Sequence, residues 1–410
     1  MHPDTEFIYP LRCRPRTALL ILAFLHFLVD FYGGLLTPLP QPTLTAHLHT
    51  DLGYITLLIG SAALLANLVQ PLSGWLLPPK GLPWLLLVTP LIAACAALIG
   101  LTSSFVLTAV LLCLSGIGIG LLHPEGSLAA HSLGGRHAGA AVGLFMSIGY
   151  FGFAMGGMAG GIWAEAWQLR RFWILALPAL LGTGLAAWAG LHQLKGHVDT
   201  DEVNEDHFVS YAPIFGLAVF TATTMCLLIR FLTILLVRRF PDSAPQAWGG
   251  ASIFATGVTG ALGACLWGLF SDRYGPPRLL LGLNLAALPF LALLLSARQI
   301  FWVPVWCLCL GLTIGSSFPL VVIQARKARG LTQRLRMGLT IGGGWGIGEV
   351  VFMSGGAYLN RFPADDPKPV VHILSACGLM MVLNIALLLQ QRTSGSRATA
   401  SAPVGVQFSA

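Results

Sequence analysis

Charge is the scarcest commodity in this chain. Only 10% of its 410 residues are Asp, Glu, Lys or Arg, where a soluble domain carries about 25%. Set against 55% hydrophobic residues and a mean hydropathy of +0.77, that shortage excludes a water-soluble globular fold. Cysteine chemistry is missing as well. None of the eight cysteines forms a CxxC pair or joins a Cys/His set with metal-ligand spacing. Cys95, Cys113, Cys226, Cys265, Cys307, Cys309 and Cys377 lie in apolar runs and read as small buried hydrophobes, so no metal site and no cofactor is expected. His123 and His131 stand eight residues apart, off a common helical face, and with no HExxH pair or nucleophile beside a base, no enzyme is expected. GIGIG at Gly116–Gly120 follows no strand and precedes no acidic ribose partner, which excludes a dinucleotide loop. The net charge of +7 resides in short segments between apolar runs, where it orients helices in a bilayer; nucleic acid is not an expected partner.

What the chain does contain is apolar runs long enough to cross lipid. A helix rising 1.5 Å per residue needs roughly 20 residues for a hydrocarbon core about 30 Å thick. Twelve segments qualify, at about 17–37, 54–77, 83–102, 105–128, 138–164, 171–192, 212–237, 247–270, 278–297, 300–324, 337–360 and 370–390. An all-α polytopic membrane protein is therefore expected. Arg12, Arg14 and Arg16 before the first run resemble a secretory leader, but the run is too long for one, contains Asp30 and is followed by no cleavage pattern. With both termini in the cytoplasm, fifteen of the 23 Lys and Arg fall on that side and seven on the other, with Arg230 inside a segment; this bias orients the protein, with the bacterial inner membrane as its expected location.

An internal repeat divides the chain. Gly74–Gly81 (GWLLPPKG) and Gly268–Gly275 (GLFSDRYG) are both Gly-x6-Gly at an offset of 194 residues. Gly116, Gly120 and Pro124 match Gly311, Gly315 and Pro319 at an offset of 195. Two motifs at nearly one offset predict six-helix pseudo-repeats: residues 1–192 as one bundle, 193–211 as a central cytoplasmic loop rich in Asp and Glu, 212–391 as the second bundle, and 392–410 as a disordered cytoplasmic tail.

The segment Gly268–Arg278 (GLFSDRYGPPR) resembles the loop signature of the major facilitator superfamily, with Gly268, Asp272, Arg273, Gly275 and Arg278 in its positions. The resemblance implies a twelve-helix transporter whose loop acts as a gate latch. The first-half copy is degraded, with Pro78 in place of the acid and Lys80 as its one charge. A narrower likeness rests on HFLVD (His26–Asp30) and on Leu121–Gly157, where HPE is followed by a small-residue stretch, a GGR turn and a glycine-studded helix. These segments are similar to the fosmidomycin resistance protein family of drug efflux transporters, as is an arginine in the seventh helix, here Arg230.

Ionisable residues inside membrane helices cost on the order of 2.5–3.5 kcal/mol at the centre, so they read as functional. Asp30 lies about 21 Å along the first helix from Arg16, with His26 one turn away on the same face. Arg230 stays protonated and needs a counter-ion, with Asp30, Glu349 or an anionic solute as alternatives. Pro124 kinks the fourth helix and is expected to aim His123 and Glu125 at an inner cavity. Together these six residues, His26, Asp30, His123, Glu125, Arg230 and Glu349, form the expected solute and proton-coupling set. The expected function is proton-coupled export of a small organic solute by a monomer through alternating access. An uptake symporter uses the same parts, and a sensor or scaffold without transport is the third alternative.

Overall fold

The computed structural model describes residues 11–76, 78, 81–194, 210–329, 331 and 333–400, with the side chains of 74, 272, 333, 334 and 392–400 outside the description. The regular secondary structure of the described residues is helical, apart from one isolated bridge between Ser210 and Arg329. Twelve helices follow one another: α1 (Pro15–Leu35), α2 (Leu52–Leu76), α3 (Leu85–Ala93, extended by a 3-10 stretch Ala94–Leu101), α4 (Phe105–Gly134), α5 (Ala138–Trp167), α6 (Leu177–Ala189), α7 (Tyr211–Arg239), α8 (Pro245–Tyr274), α9 (Pro276–Ser296), α10 (Trp302–Leu310, continued past a π-turn as Phe318–Arg326), α11 (Gln333–Gly338, a π-turn, then Gly344–Leu359) and α12 (Lys368–Ala400). Nine apolar runs among the described residues are long enough to cross a membrane, one of which, Phe105–Trp167, contains both α4 and α5; α3 and α11 complete the twelve. The protein is an integral multi-pass membrane protein.

Helix α12 runs to Ala400. The segment Gly268–Arg278, expected as a loop, is helical through Tyr274 and turns only at Gly275, whose φ of +77° disfavours any side chain, before Pro276 opens α9. Proline is tolerated at a first helical position because the N–H it lacks has no partner there anyway.

Lipid offers no hydrophobic drive between helices, so small residues and buried polar groups hold them. On α5, Gly152, Gly156 and Gly160 lie against the backbone carbonyls of Phe27, Phe31 and Leu35 on α1, where a Cβ would collide. On the other half, the Asn384 amide donates to Thr221 Oγ1 at 3.0 Å and to Asn284 Oδ1 at 3.2 Å, pinning α12 to α7 and α9. The halves meet along α5 with α8 and along α2 with α11, two pairs related by the six-helix offset of the sequence repeat.

Candidate functional site

Helices alternate direction, so the molecule has one end where α1 and α7 begin, the near end, and one where they finish, the far end. The far end is tied across the halves. The Gln246 amide at the start of α8 donates to Thr43 Oγ1 at 2.8 Å and to the Pro38 carbonyl at 3.2 Å, and the Gln246 backbone N–H donates to Glu165 Oε2 on α5 at 3.1 Å. Gly53 N–H of α2 donates to Asn360 Oδ1 beyond α11 at 2.9 Å. Along α5, Gly161, Gly157 and Ala154 seat on Gly250, Ile253 and Gly257 of α8. One step nearer the near end, Ser147 Oγ and Cys265 Sγ are 3.9 Å apart. Beyond them, a Cβ on Gly143 or Gly268 would meet no atom within 4 Å. The α5–α8 seam is thus closed at the far end and parted at the near end.

Two charged clusters lie between these ends, one in each half. In the second, Arg230 of α7 donates from Nη2 to Glu349 Oε1 of α11 at 2.9 Å. Its Nη1 reaches Thr37 Oγ1, just past α1, at 3.4 Å, and the guanidinium lies 5.7 Å from the centroid of the Phe352 ring. Arg230 is 7% and Glu349 3% exposed, and Glu349 Oε2 has no hydrogen-bond partner. Of the alternatives for the Arg230 counter-ion, the geometry selects Glu349; Asp30 belongs to the other cluster.

That cluster joins α1 to α4. Asp30 Oδ2 stands 3.2 Å from His26 Nε2, one turn away on the same helix, and Asp30 Oδ1 stands 3.5 Å from His123 Nε2. The imidazoles meet edge to face with centroids 4.9 Å apart, and His26 stacks on Phe145 of α5 at 4.0 Å. The opposite nitrogens are engaged: His26 Nδ1 is 2.7 Å from the Phe145 carbonyl and His123 Nδ1 is 2.8 Å from the Ile119 carbonyl. The His26 side chain is 1% exposed, but Asp30 and His123 are 16% and 20% exposed, so one side of the cluster is open. The sequence spacing concealed this constellation, because its third member comes from a helix 93 residues further on.

Glu125 does not accompany His123. Two residues apart on a helix, the side chains leave on opposite faces, and Glu125 Oε2 accepts instead from the Leu82 N–H at 2.9 Å, holding the turn that leads into α3. That contact sets a carboxylate beside the loop whose signature acid is replaced by Pro78. In the second-half signature, Gly268 is a plain helical residue, exposed Arg273 lies over the Tyr274 ring at 5.3 Å, and Arg278 is exposed. The Asp272 side chain, Lys80 and the acidic stretch Asp199–Asp206 lie outside the described residues.

Residues 19–328 match the Major Facilitator Superfamily. The uncharacterized MFS-type transporter YfnC of Bacillus subtilis is 25% identical over 382 residues, which span 89% of this chain and 92% of that protein. Two solved structures share the fold. A variant of the nucleoside transporter NupG aligns with a TM-score of 0.68 at 12% identity, over 90% of this chain and 99% of its own. A bacterial homolog of the human lysosomal transporter Spinster, in an inward-facing and occupied conformation, aligns at 0.70 and 15% identity, over 92% and 96%.

Proposed function

The chain belongs to the major facilitator superfamily and is a secondary transporter; on that premise we propose that it exports a small organic solute in exchange for protons by alternating access. The observation that carries this reading is the Arg230–Glu349 pair with its link to Thr37. Glu349 is buried, with Oε1 on the Arg230 guanidinium and Oε2 without a hydrogen-bond partner. In the exchange cycle the Glu349 carboxylate releases its proton when Arg230 or the solute approaches, so that proton and solute occupy the site in turn. Cys226 of α7 lies within electrostatic reach of both members, and Arg230 is the charged group that faces Glu349. Since Arg230 also bonds Thr37 across the halves, a change in its partner loosens the far-end closure, which couples the proton to access.

The likeness of HFLVD and HPE…GGR to the fosmidomycin resistance family directs the reading toward export. The excess of Lys and Arg on the near end supports a chain with both termini in the cytoplasm of a bacterial inner membrane, acting as a monomer, in which case the described conformation faces inward. Cells overexpressing the protein, grown against a panel of antibiotics and organic anions, identify the solute. In proteoliposomes, its flux should follow an imposed pH gradient and lose that dependence in Glu349→Gln, which preserves a hydrogen bond to Arg230 but exchanges no proton. Gradient-driven flux that survives Glu349→Gln unchanged removes the pair from coupling. Accumulation of the solute with inward proton flow would assign uptake in place of export.

A further inference from the structure

We propose that His26, Asp30 and His123 form a binding site for a divalent first-row metal cation of the Zn2+ class, with open coordination positions on the side where Asp30 and His123 are exposed. The inference does not depend on the proposed solute or on the Arg230–Glu349 pair, which occupies the other half.

The argument starts with the hydrogens. A carbonyl oxygen accepts and never donates, so the bonds to Phe145 and Ile119 place a proton on Nδ1 of both imidazoles. In the neutral rings, both Nε2 lone pairs then point at the Asp30 carboxylate. With both rings neutral, three acceptor groups converge with no donor among them, and His26 Nε2, on a side chain 1% exposed, stands 3.2 Å from Asp30 Oδ2 without hydrogen-bond geometry. A cation is the missing piece of such an arrangement.

The dimensions suit a metal. Zn–N and Zn–O bonds of about 2.0–2.2 Å set tetrahedral ligand edges of about 3.3–3.6 Å; here each imidazole stands near that distance from one of the two carboxylate oxygens, His26 Nε2 at 3.2 Å from Asp30 Oδ2 and His123 Nε2 at 3.5 Å from Asp30 Oδ1. The three donor atoms all lie within 4.8 Å of one another. The outer contacts are those of a ligating histidine, whose far ring N–H is tied to a carbonyl that fixes tautomer and ring direction. Packing reinforces that direction: Phe145 stacks on the His26 ring, and Gly149 presses so close that a Cβ there would stand 2.6 Å from Nδ1. Two imidazoles and one carboxylate favour Zn2+ and its neighbours over Mg2+ or Ca2+, which take oxygen ligands. Three protein ligands leave positions for water or for a donor atom of the cargo, on the side where Asp30 and His123 are exposed.

The test is equilibrium binding of Zn2+ to the purified full chain in detergent or nanodiscs, followed by X-ray absorption of the loaded protein. The expected result is one Zn2+ per chain with two imidazole nitrogens at about 2.0 Å, weakened at least tenfold by His26→Gln, His123→Gln and Asp30→Asn, and unmoved by His131→Gln. Mg2+ should not compete. Equal binding in all three variants assigns the metal to other histidines and overturns the proposal, as does failure of the wild-type chain to bind. Should a variant misfold, Co2+ bound to the wild-type chain decides: a d–d spectrum of a four- or five-coordinate site supports the assignment, and the weak spectrum of six-coordinate aquo Co2+ refutes it.

Discussion

The two halves each bury charge between their helices, but they do so differently. The first half brings together two imidazoles and a carboxylate from α1 and α4, with two of the three partly exposed, and ties each imidazole to a backbone carbonyl. The second half brings together one guanidinium and one carboxylate from α7 and α11, both buried, and ties the guanidinium to the first half through Thr37. Titratable groups that stay accessible can take up a ligand from a cavity, whereas a sealed ion pair responds only when one member finds another partner. Under the proposed function and the proposed metal site, the difference separates a site that binds from a pair that couples to the far-end closure.

The largest effect expected from breaking this comparison is in the sealed pair. Glu349→Ala leaves a buried guanidinium uncompensated and should cost about 3–5 kcal/mol, whereas Arg230→Met combined with Glu349→Leu should cost little or nothing. Thermal unfolding of the purified protein reads both, and a double variant as unstable as Glu349→Ala would show that the helices need the charge itself. Gly149→Ala should cost about 1–3 kcal/mol by overpacking, because the new methyl meets the His26 ring. If the imidazole direction matters as described, that variant also weakens Zn2+ binding; unchanged affinity would uncouple the Gly149 seat from the cluster.

A smaller effect is expected at the far-end ties. Gln246→Ala and Asn360→Ala each remove hydrogen bonds worth about 1 kcal/mol net, which is roughly a fivefold shift in the balance of closed and open far ends. Maleimide labelling of Ile253→Cys, buried in the α5–α8 seam, should accelerate by about that factor in each background. Unaltered labelling would show that packing along the seam, and not these bonds, holds the closure. The smallest contrast lies within the signature segment. Gly268→Ala meets open space and should stay within about 0.5 kcal/mol, while Gly275→Ala, forced to a φ of +77°, should cost about 1–3 kcal/mol. Equal stabilities would mean that the α8–α9 turn can adopt another backbone path.

The candidate residues of both clusters were legible in the sequence for one reason: a charge within an apolar run is costly enough to mark itself. Their partnering was not. Arg230 had two carboxylates within plausible reach, and only the approach of α7 to α11 chose Glu349. Helical geometry separated His123 from Glu125, neighbours in sequence that face different surroundings. The donor set of His26, Asp30 and His123 had no sequence spacing to betray it, since metal-ligand patterns are visible only when the ligands share a local element.

By itself the sequence determined the fold class, because charge scarcity and runs of about 20 apolar residues admit only helices across lipid, and the repeated glycine motifs carry the six-helix period. The tertiary structure decided which charges meet, which end of the bundle is closed and where the signature segment turns. Those outcomes depend on contacts between helices far apart in the chain, whose register follows from small-residue packing and not from any local pattern of hydropathy.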